Sequence, residues 1–371
     1  MNGPNIRRTN RRTQRKKARR RLLRFIFSTI VLALLIFAGV KTINLIKNIG
    51  VPQIAKDIIK KQQGRITILN LDRDTELPIK NNKYRITKLD SGEIVQIIST
   101  DKNGIATSMP LDYDSKYEVK WIESNPYYPI REEVFILEID QENHEIIIES
   151  IMHDYIKQVH HTEEGELVVD EVFIEVPTIM QLPELPNGCE ITSLTAVLNY
   201  KGYNAEKTEM ADTYLPKEPF YRKDEKLFGA NPYVAYAGDP REKHGFFSYA
   251  PPIVEAANHF LDKIKGEEKP IDISGSTREE IIKYLEQGIP VVIWVTLDLS
   301  KPIKTYSWHL SDTGEKVDMP INLHCVVLNG YAGDNVHVMN PLEGQVIYNA
   351  DAFFQSYVEL GSHAMTLDGL K

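Results

Sequence analysis

Residues Phe25 to Ile46 form an apolar run with a single charge, Lys41, and no other feature of the 371-residue chain limits its fold so sharply. At a helical rise of about 1.5 Å per residue, roughly 20 residues cross a bilayer core, and this run suffices if Lys41 snorkels to the headgroups. Eleven Lys or Arg and no acid occupy residues 1–24, directly before it. The asymmetry predicts a cytoplasmic basic tail over 1–24, a transmembrane helix over 25–46, and an extracellular remainder held at the cell membrane. A cleaved signal peptide is the alternative; the long basic region and the lack of an A-x-A site after the run argue against it. Because the tail abuts a membrane span, anionic lipid rather than nucleic acid is its natural partner.

The rest of the chain is acidic, with 33 basic against 52 acidic side chains. Its apolar content, 42% overall with 26% charged, is that of an ordinary globular protein. Two cysteines cannot make a disulfide framework, so stability must come from apolar burial. VPQIAKDIIKKQQ sets Ile54, Ile58 and Ile59 at helical spacing, which predicts a short stalk helix within 47–63. From Gly64 the period changes to two: GRITILNLD, NKYRITKLD, EIVQIIST, ATSMPLD and KYEVKWIE are short strand-like runs between turns such as Asp90-Ser91-Gly92. They predict a small all-β sandwich over 64–140, followed by a linker with strands over 141–172. His160 and His161 beside Glu163 and Glu164 lack a third ligand at constrained spacing and read as a solvated run; no metal is expected. DKNG, from Asp101, is only a fragment of a calcium loop without its closing glutamate.

The runs GRITILNLDRDTELPIKNNKYRI and TDKNGIATSMPLDYDSKYEV resemble the prealbumin-like, Cna-B-like repeats of Gram-positive adhesins and pilins. The resemblance implies a spacer or contact domain. Many members carry a Lys–Asn crosslink promoted by an acid, with the lysine on the first strand near Asn70 and the acid near Trp121. Neither residue type stands at those places, so no crosslink is expected.

After residue 172 helices and strands alternate. Glu190 to Tyr200 puts Ile191, Leu194, Val197 and Leu198 on one helical face, with Gly202 as a stop. IVEAANHFLDKI follows Pro251-Pro252; Ser276 and Glu279 suggest a capping box before EEIIKYLEQ; PVVIWVTLDL, NLHCVVLNGY, NVHVMNP and GQVIYN read as strands, ADAFFQSYVEL as a helix and SHAMTL as a last strand. Cys189 opens the first of these helices. There the partial positive charge of the helix end should lower a thiol pKa, and the Cys189 N–H could serve an oxyanion. Gly188 before it should let the backbone approach a substrate carbonyl.

A thiolate that transfers acyl groups needs a base to activate it and an acid for the leaving amine. His324 is the best candidate, since NLHCVVL is a β-branched strand that can hold its ring rigidly. Asn340 ends the strand NVHVMN after the turn YAGDN, so a hairpin would bring it beside His324 to fix the imidazole. Gln181 in IMQLPELPNGC could donate a side-chain N–H to the oxyanion. A Cys189–Cys325 disulfide is the rival use of the thiols; alternation along the strand opposes it, because His324 aimed at Cys189 turns Cys325 away. Trp294 and Trp308 read as core, and His309 and His337 as structural. Asp239, Pro240, Tyr249 and Pro251 shape either the cleft or the domain junction.

VPTIMQLPELPNGCEITSLTAVLNYKGY, AGDPREKHGFFSYAPPIVEAANHFL, PVVIWVTLDL and HCVVLNGYAGDNVHVMNPLEG together resemble papain-like cysteine peptidases related to double-glycine leader peptidases, the C-thirty-nine-like group. The resemblance spans about 175–371. It implies an α+β papain-like fold, a helical lobe plus an antiparallel sheet, over 173–371. Cys189 matches the nucleophile, His324 the general base and Gln181 the oxyanion-hole glutamine; Asn340 stands where aspartate is frequent. The expected activity is hydrolysis of peptide or isopeptide bonds without metal or organic cofactor, on a peptide or protein such as a surface protein or cell-wall peptide. The alternatives are a papain-like module that only binds peptides and an acyltransferase acting on surface proteins. No G-x-x-x-x-G-K-[ST] loop is present, so transporter-coupled leader processing is not expected.

Overall fold

In QGRITILNLD, Ile66, Ile68 and Asn70 turn inward at every second position and are completely buried, the period of a pleated strand with one covered face. This strand, Gln63–Asp72, is the first element of a computed structural model that describes residues 63–162 and 166–368; the basic tail, the apolar run and the stalk up to residue 62 lie outside them, and Gln63, the last residue of the expected stalk, opens the strand. Among the described residues no helix is long and apolar enough to cross a membrane. The chain divides between Met152 and His153 into two compact units.

In the first unit, Gln63–Asp72 pairs antiparallel with Ile105–Thr107 and Leu111–Asp112 and parallel with Asn143–Ser150. A second sheet runs in the order Glu93–Ser99, Lys83–Lys88, Lys116–Glu123, Val134–Glu138, antiparallel throughout. Ile66, Ile68, Ile146 and Ile148 from one sheet and Tyr84, Ile86, Val119 and Trp121 from the other share one apolar core, which makes the unit a β-sandwich. The expected linker over 141–172 is differently distributed. Asn143–Ser150 belongs to the sandwich because Ile146 and Ile148 complete its core. Ile156–His161 and Leu167–Phe173 form a hairpin that joins the main sheet of the second unit, with His160 Nδ1 2.8 Å from the Asp170 carboxylate across it. Where the adhesin crosslink would start, the Asn70 amide donates to the Tyr84 hydroxyl at 2.9 Å and to Ser150 Oγ at 3.2 Å.

The second unit is built on an eight-stranded sheet in which every pairing is antiparallel. At its centre Val291–Thr296 lies beside Leu323–Ala332, which also pairs with Leu167–Phe173 and with Asn335–Asn340; Gly344–Asn349 follows outside. Among the described residues, four helices of eight residues or more surround it: α1, Cys189–Tyr200; α2, Ala250–Ile264; α3, Arg278–Leu285; and α4, Ala350–Leu360. Helix α1 is not the one-faced helix its apolar spacing suggests. Every residue from Cys189 to Leu198 is buried, polar Thr192, Ser193 and Thr195 included, because α1 packs on Leu323–Ala332 and Val291–Thr296 and also on α2.

The capping box of α3 sits one residue later than Ser276 and Glu279. Thr277 and Glu280 exchange the two bonds, while the Ser276 hydroxyl donates to Ile273 O at 2.7 Å. Trp294 and Trp308 are core residues whose indole N–H groups donate to Ser248 O and Ala230 O, each at 2.9 Å.

Candidate active site

Cys189 is the first residue of α1, and the loop before it is tied down at several points. The Gln181 N–H donates to Pro341 O, the Asn187 N–H to Pro240 O and the Tyr236 hydroxyl to Asn187 O, at 2.9, 3.1 and 2.7 Å. Gly188 is needed by the loop itself: a Cβ there would lie 2.6 Å from Leu185 Cβ, and Leu185 is fully buried. The glycine lets the loop close on its own apolar anchor.

His324 and Asn340 come together through the hairpin. Pairing runs from Ala332↔Asn335 to Val327↔Met339, so the next step sets Asn340 level with Val326, two residues from His324 and on its face of the sheet. His324 Nε2 lies 2.8 Å from Asn340 Oδ1. The same oxygen accepts the Leu342 N–H at 2.9 Å, and the Asn340 amide nitrogen donates to the Tyr348 hydroxyl at 3.0 Å. A backbone donor on Oδ1 identifies that atom as the oxygen, so His324 Nε2 must carry a hydrogen and the neutral ring keeps Nδ1 as its free acceptor. Burial lowers the His324 pKa, with the Asn340 bond opposing, which favours that neutral ring.

Cys189, His324 and Gln181 all line a single cleft of about 390 Å³, whose walls include Phe246, Tyr306, Ile321 and Leu342. Gln181 is buried, its amide nitrogen donating to Pro186 O at 2.9 Å and its Oε1 without a partner. Asn340 stands behind His324 rather than on the cleft surface. Cys325 is buried and, like Cys189, a free thiol, so no disulfide joins them.

The Cys189 thiol does not meet the helix-end expectation. Burial and the charge of Glu190 push its pKa well above the ordinary value, outweighing the backbone amides of Cys325 and Glu190 that pull it down. Its Sγ donates to Glu190 Oε2 at 3.2 Å. Glu190, which the sequence reading passed over, is wholly buried and also accepts the Ser248 N–H on Oε1 at 3.0 Å. An acid in the first turn of a helix ordinarily signals only favourable placement on the dipole. The apolar residues that follow it on α1 were the available hint that it would be enclosed.

Among the described residues, the remaining candidates take structural parts. His337 packs its ring edge on Phe173 at 5.2 Å, and His309 lies 5.3 Å from the Phe228 ring. Asp239 pairs with Lys217 at 2.6 Å and caps the Arg241 N–H. Tyr249 stacks on His363. No group of three or more His, Cys, Asp or Glu that could hold a metal occurs among the described residues.

A cysteine opening a buried helix and a strand-borne histidine with a fixed tautomer, sharing one cleft beside an antiparallel sheet, are the frame of a papain-like unit. The chain belongs to the Peptidase_C39 like family, whose model matches residues 173–365. It is 27% identical over 191 residues to the uncharacterized protein YvpB of Bacillus subtilis, a match covering 51% of this chain and 72% of YvpB. It is 30% identical to a Bacillus anthracis protein assigned as a C39-like peptidase, with 52% of this chain and 96% of that one covered and a TM-score of 0.46. The N-terminal region matches the T6 backbone pilin of Streptococcus pyogenes at 21% identity, covering 20% of this chain and 16% of the pilin, with a TM-score of 0.19.

Proposed function

We infer that this protein is a membrane-anchored extracellular cysteine peptidase, hydrolysing peptide or isopeptide bonds through Cys189, His324, Asn340 and Gln181. The observation that carries the reading is the fixed imidazole: with Nε2 held on Asn340, Nδ1 is the free base, and His324 shares its cleft with Cys189. Nδ1 takes the thiol proton as sulfur attacks the scissile carbonyl, and the oxyanion faces the Cys189 N–H and the Gln181 side chain. The C–N bond then breaks as the imidazolium protonates the leaving amine, and water, activated by Nδ1, hydrolyses the thioester. Walls that mix apolar groups such as Phe246 and Ile321 with polar ones such as Asn187, Lys243 and His244 suit a peptide or protein substrate, such as a surface protein or cell-wall peptide. The apolar run and basic tail supply the anchor, cytoplasmic tail inward, and the β-sandwich is a spacer or contact domain.

Incubation of the full chain with a peptidyl thiol-directed acyl warhead, followed by intact mass, tests this. The wild type is expected to gain a single adduct, Cys189→Ala none, and His324→Ala an adduct that forms about 10²-fold more slowly. Equal labelling of wild type and Cys189→Ala removes the nucleophile. One observation favours a second reading, a papain-like module that binds peptides without cleaving them: Sγ is bonded to Glu190. That module would take up no label in any variant.

A further inference from the structure

Glu190 has no part in the acyl transfer just described, yet its carboxyl group is fully enclosed beside the sulfur. Oε1 accepts the Ser248 N–H at 3.0 Å and Oε2 the Cys189 thiol at 3.2 Å. The other titratable groups that face it are Tyr236, from the strand Tyr236–Ala237, and Cys325, from the strand that carries His324. Burial raises both and keeps them neutral, and no Lys, Arg or His stands among these neighbours. An ionised Glu190 therefore has no countercharge. A thiolate formed in place would set two negative charges side by side out of water, so the pair accommodates only one.

We propose that Cys189 and Glu190 share a single acid proton, so that Glu190 is a positioning residue that holds the thiol in reserve while ionised and, once protonated, donates to the sulfur and frees the thiolate for His324. This rests on reading Cys189 as the nucleophile. In the exchange Glu190 Oε2 takes a proton from solvent and turns from acceptor to donor toward Sγ; the S–H bond then breaks as its proton passes to His324 Nδ1, leaving the thiolate–imidazolium pair. The reactive form thus holds one proton more than the resting form and is lost as pH rises through the titration of the pair. Burial pushes the Glu190 carboxyl up to about 7, against its own amide, the Ser248 amide and the thiol, which puts the transition in the neutral range.

The test is the rate of iodoacetamide alkylation at Cys189 in the full chain across the neutral range, for wild type and Glu190→Gln. Glutamine can donate to sulfur as the protonated acid does, and it cannot ionise. The wild-type rate should fall as pH rises through neutrality before climbing again in alkali. Glu190→Gln should show no fall and should alkylate about ten-fold faster near pH 8. Superimposable profiles overturn the proposal. Should the variant fail to fold, wild type carrying 13C at glutamate Cδ gives the answer: one carboxyl signal must titrate near neutrality and shift when Cys189 is blocked as a methyl disulfide. A spectrum in which no signal responds to the block also overturns it. Alkylation needs no peptide, so loss of this coupling and loss of peptidase activity are separate results.

Discussion

Asn340 Oδ1 receives two donors at once, the Leu342 N–H at 2.9 Å and His324 Nε2 at 2.8 Å, and this convergence decides which ring nitrogen of His324 faces the cleft as a base. Replacing Asn340 by Ala removes the acceptor and frees the ring to turn and to change tautomer. The expected outcome is a fall in kcat of about 10²-fold with KM little altered, measured on a fluorogenic peptide that the wild type cleaves. A fall confined to KM would place Asn340 in substrate binding instead.

Asn340→Asp substitutes a charge for a dipole on the same ring nitrogen. A carboxylate stabilises the imidazolium, so the His324 pKa, lowered by burial in the wild type, should rise. The acid limb of kcat/KM should then move to higher pH, by about one unit. An unmoved limb would mean that His324 does not set it.

His363 stacks on Tyr249 with centroids 4.0 Å apart, and burial pushes its pKa down to about 4 from 6.5, with Asp272 opposing. The unfolded ring binds a proton below about pH 6.5 while the folded ring does not, so stability is complete above that value and is lost as pH falls toward the folded pKa. Urea unfolding followed by tryptophan fluorescence should show a loss of about 2 kcal/mol between pH 7 and pH 4.5 that His363→Phe largely abolishes.

Gly188→Ala drives a Cβ to 2.6 Å from Leu185 Cβ, between two parts of one tight loop. A destabilisation of about 1–3 kcal/mol is expected, together with slowed labelling of Cys189. Leu185→Gly in the same chain should recover part of the labelling rate, since it removes the Cβ on the far side of the clash.

In the sandwich, Asn70→Ala would leave the Tyr84 hydroxyl and Ser150 Oγ without the amide that now bonds them. Loss of a buried donor pair predicts about 1–3 kcal/mol of destabilisation, seen as an earlier thermal transition with warhead labelling unchanged.

What could be read directly from the residues followed local rules. The His324 and Asn340 strands announced themselves through β-branched runs and a short turn, and the turn fixed their register. Cys189 announced itself through glycine and the helix behind it. Glu190 was hard to read for the opposite reason: the groups that face it, Ser248, Tyr236 and Cys325, come from segments far from it in sequence. Asn143–Ser150 was likewise misjoined, because its parallel partner lies at the far end of the unit and parallel pairing leaves no hairpin signature. The misplaced capping box was a near tie between Ser276 and Thr277, each followed three residues on by a glutamate.

The parallel ladder between Gln63–Asp72 and Asn143–Ser150 has a mechanical corollary. The chain enters the sandwich at one end of the ladder and leaves it at the other, after Ser150. A pull between those two points runs along the strands and loads the eight register pairs from Arg65↔Asn143 to Asp72↔Ser150 together in shear, instead of unzipping them one by one. Resistance to tension in this unit is therefore set by the collective rupture of that ladder, and its lifetime under load by the height of the unfolding barrier.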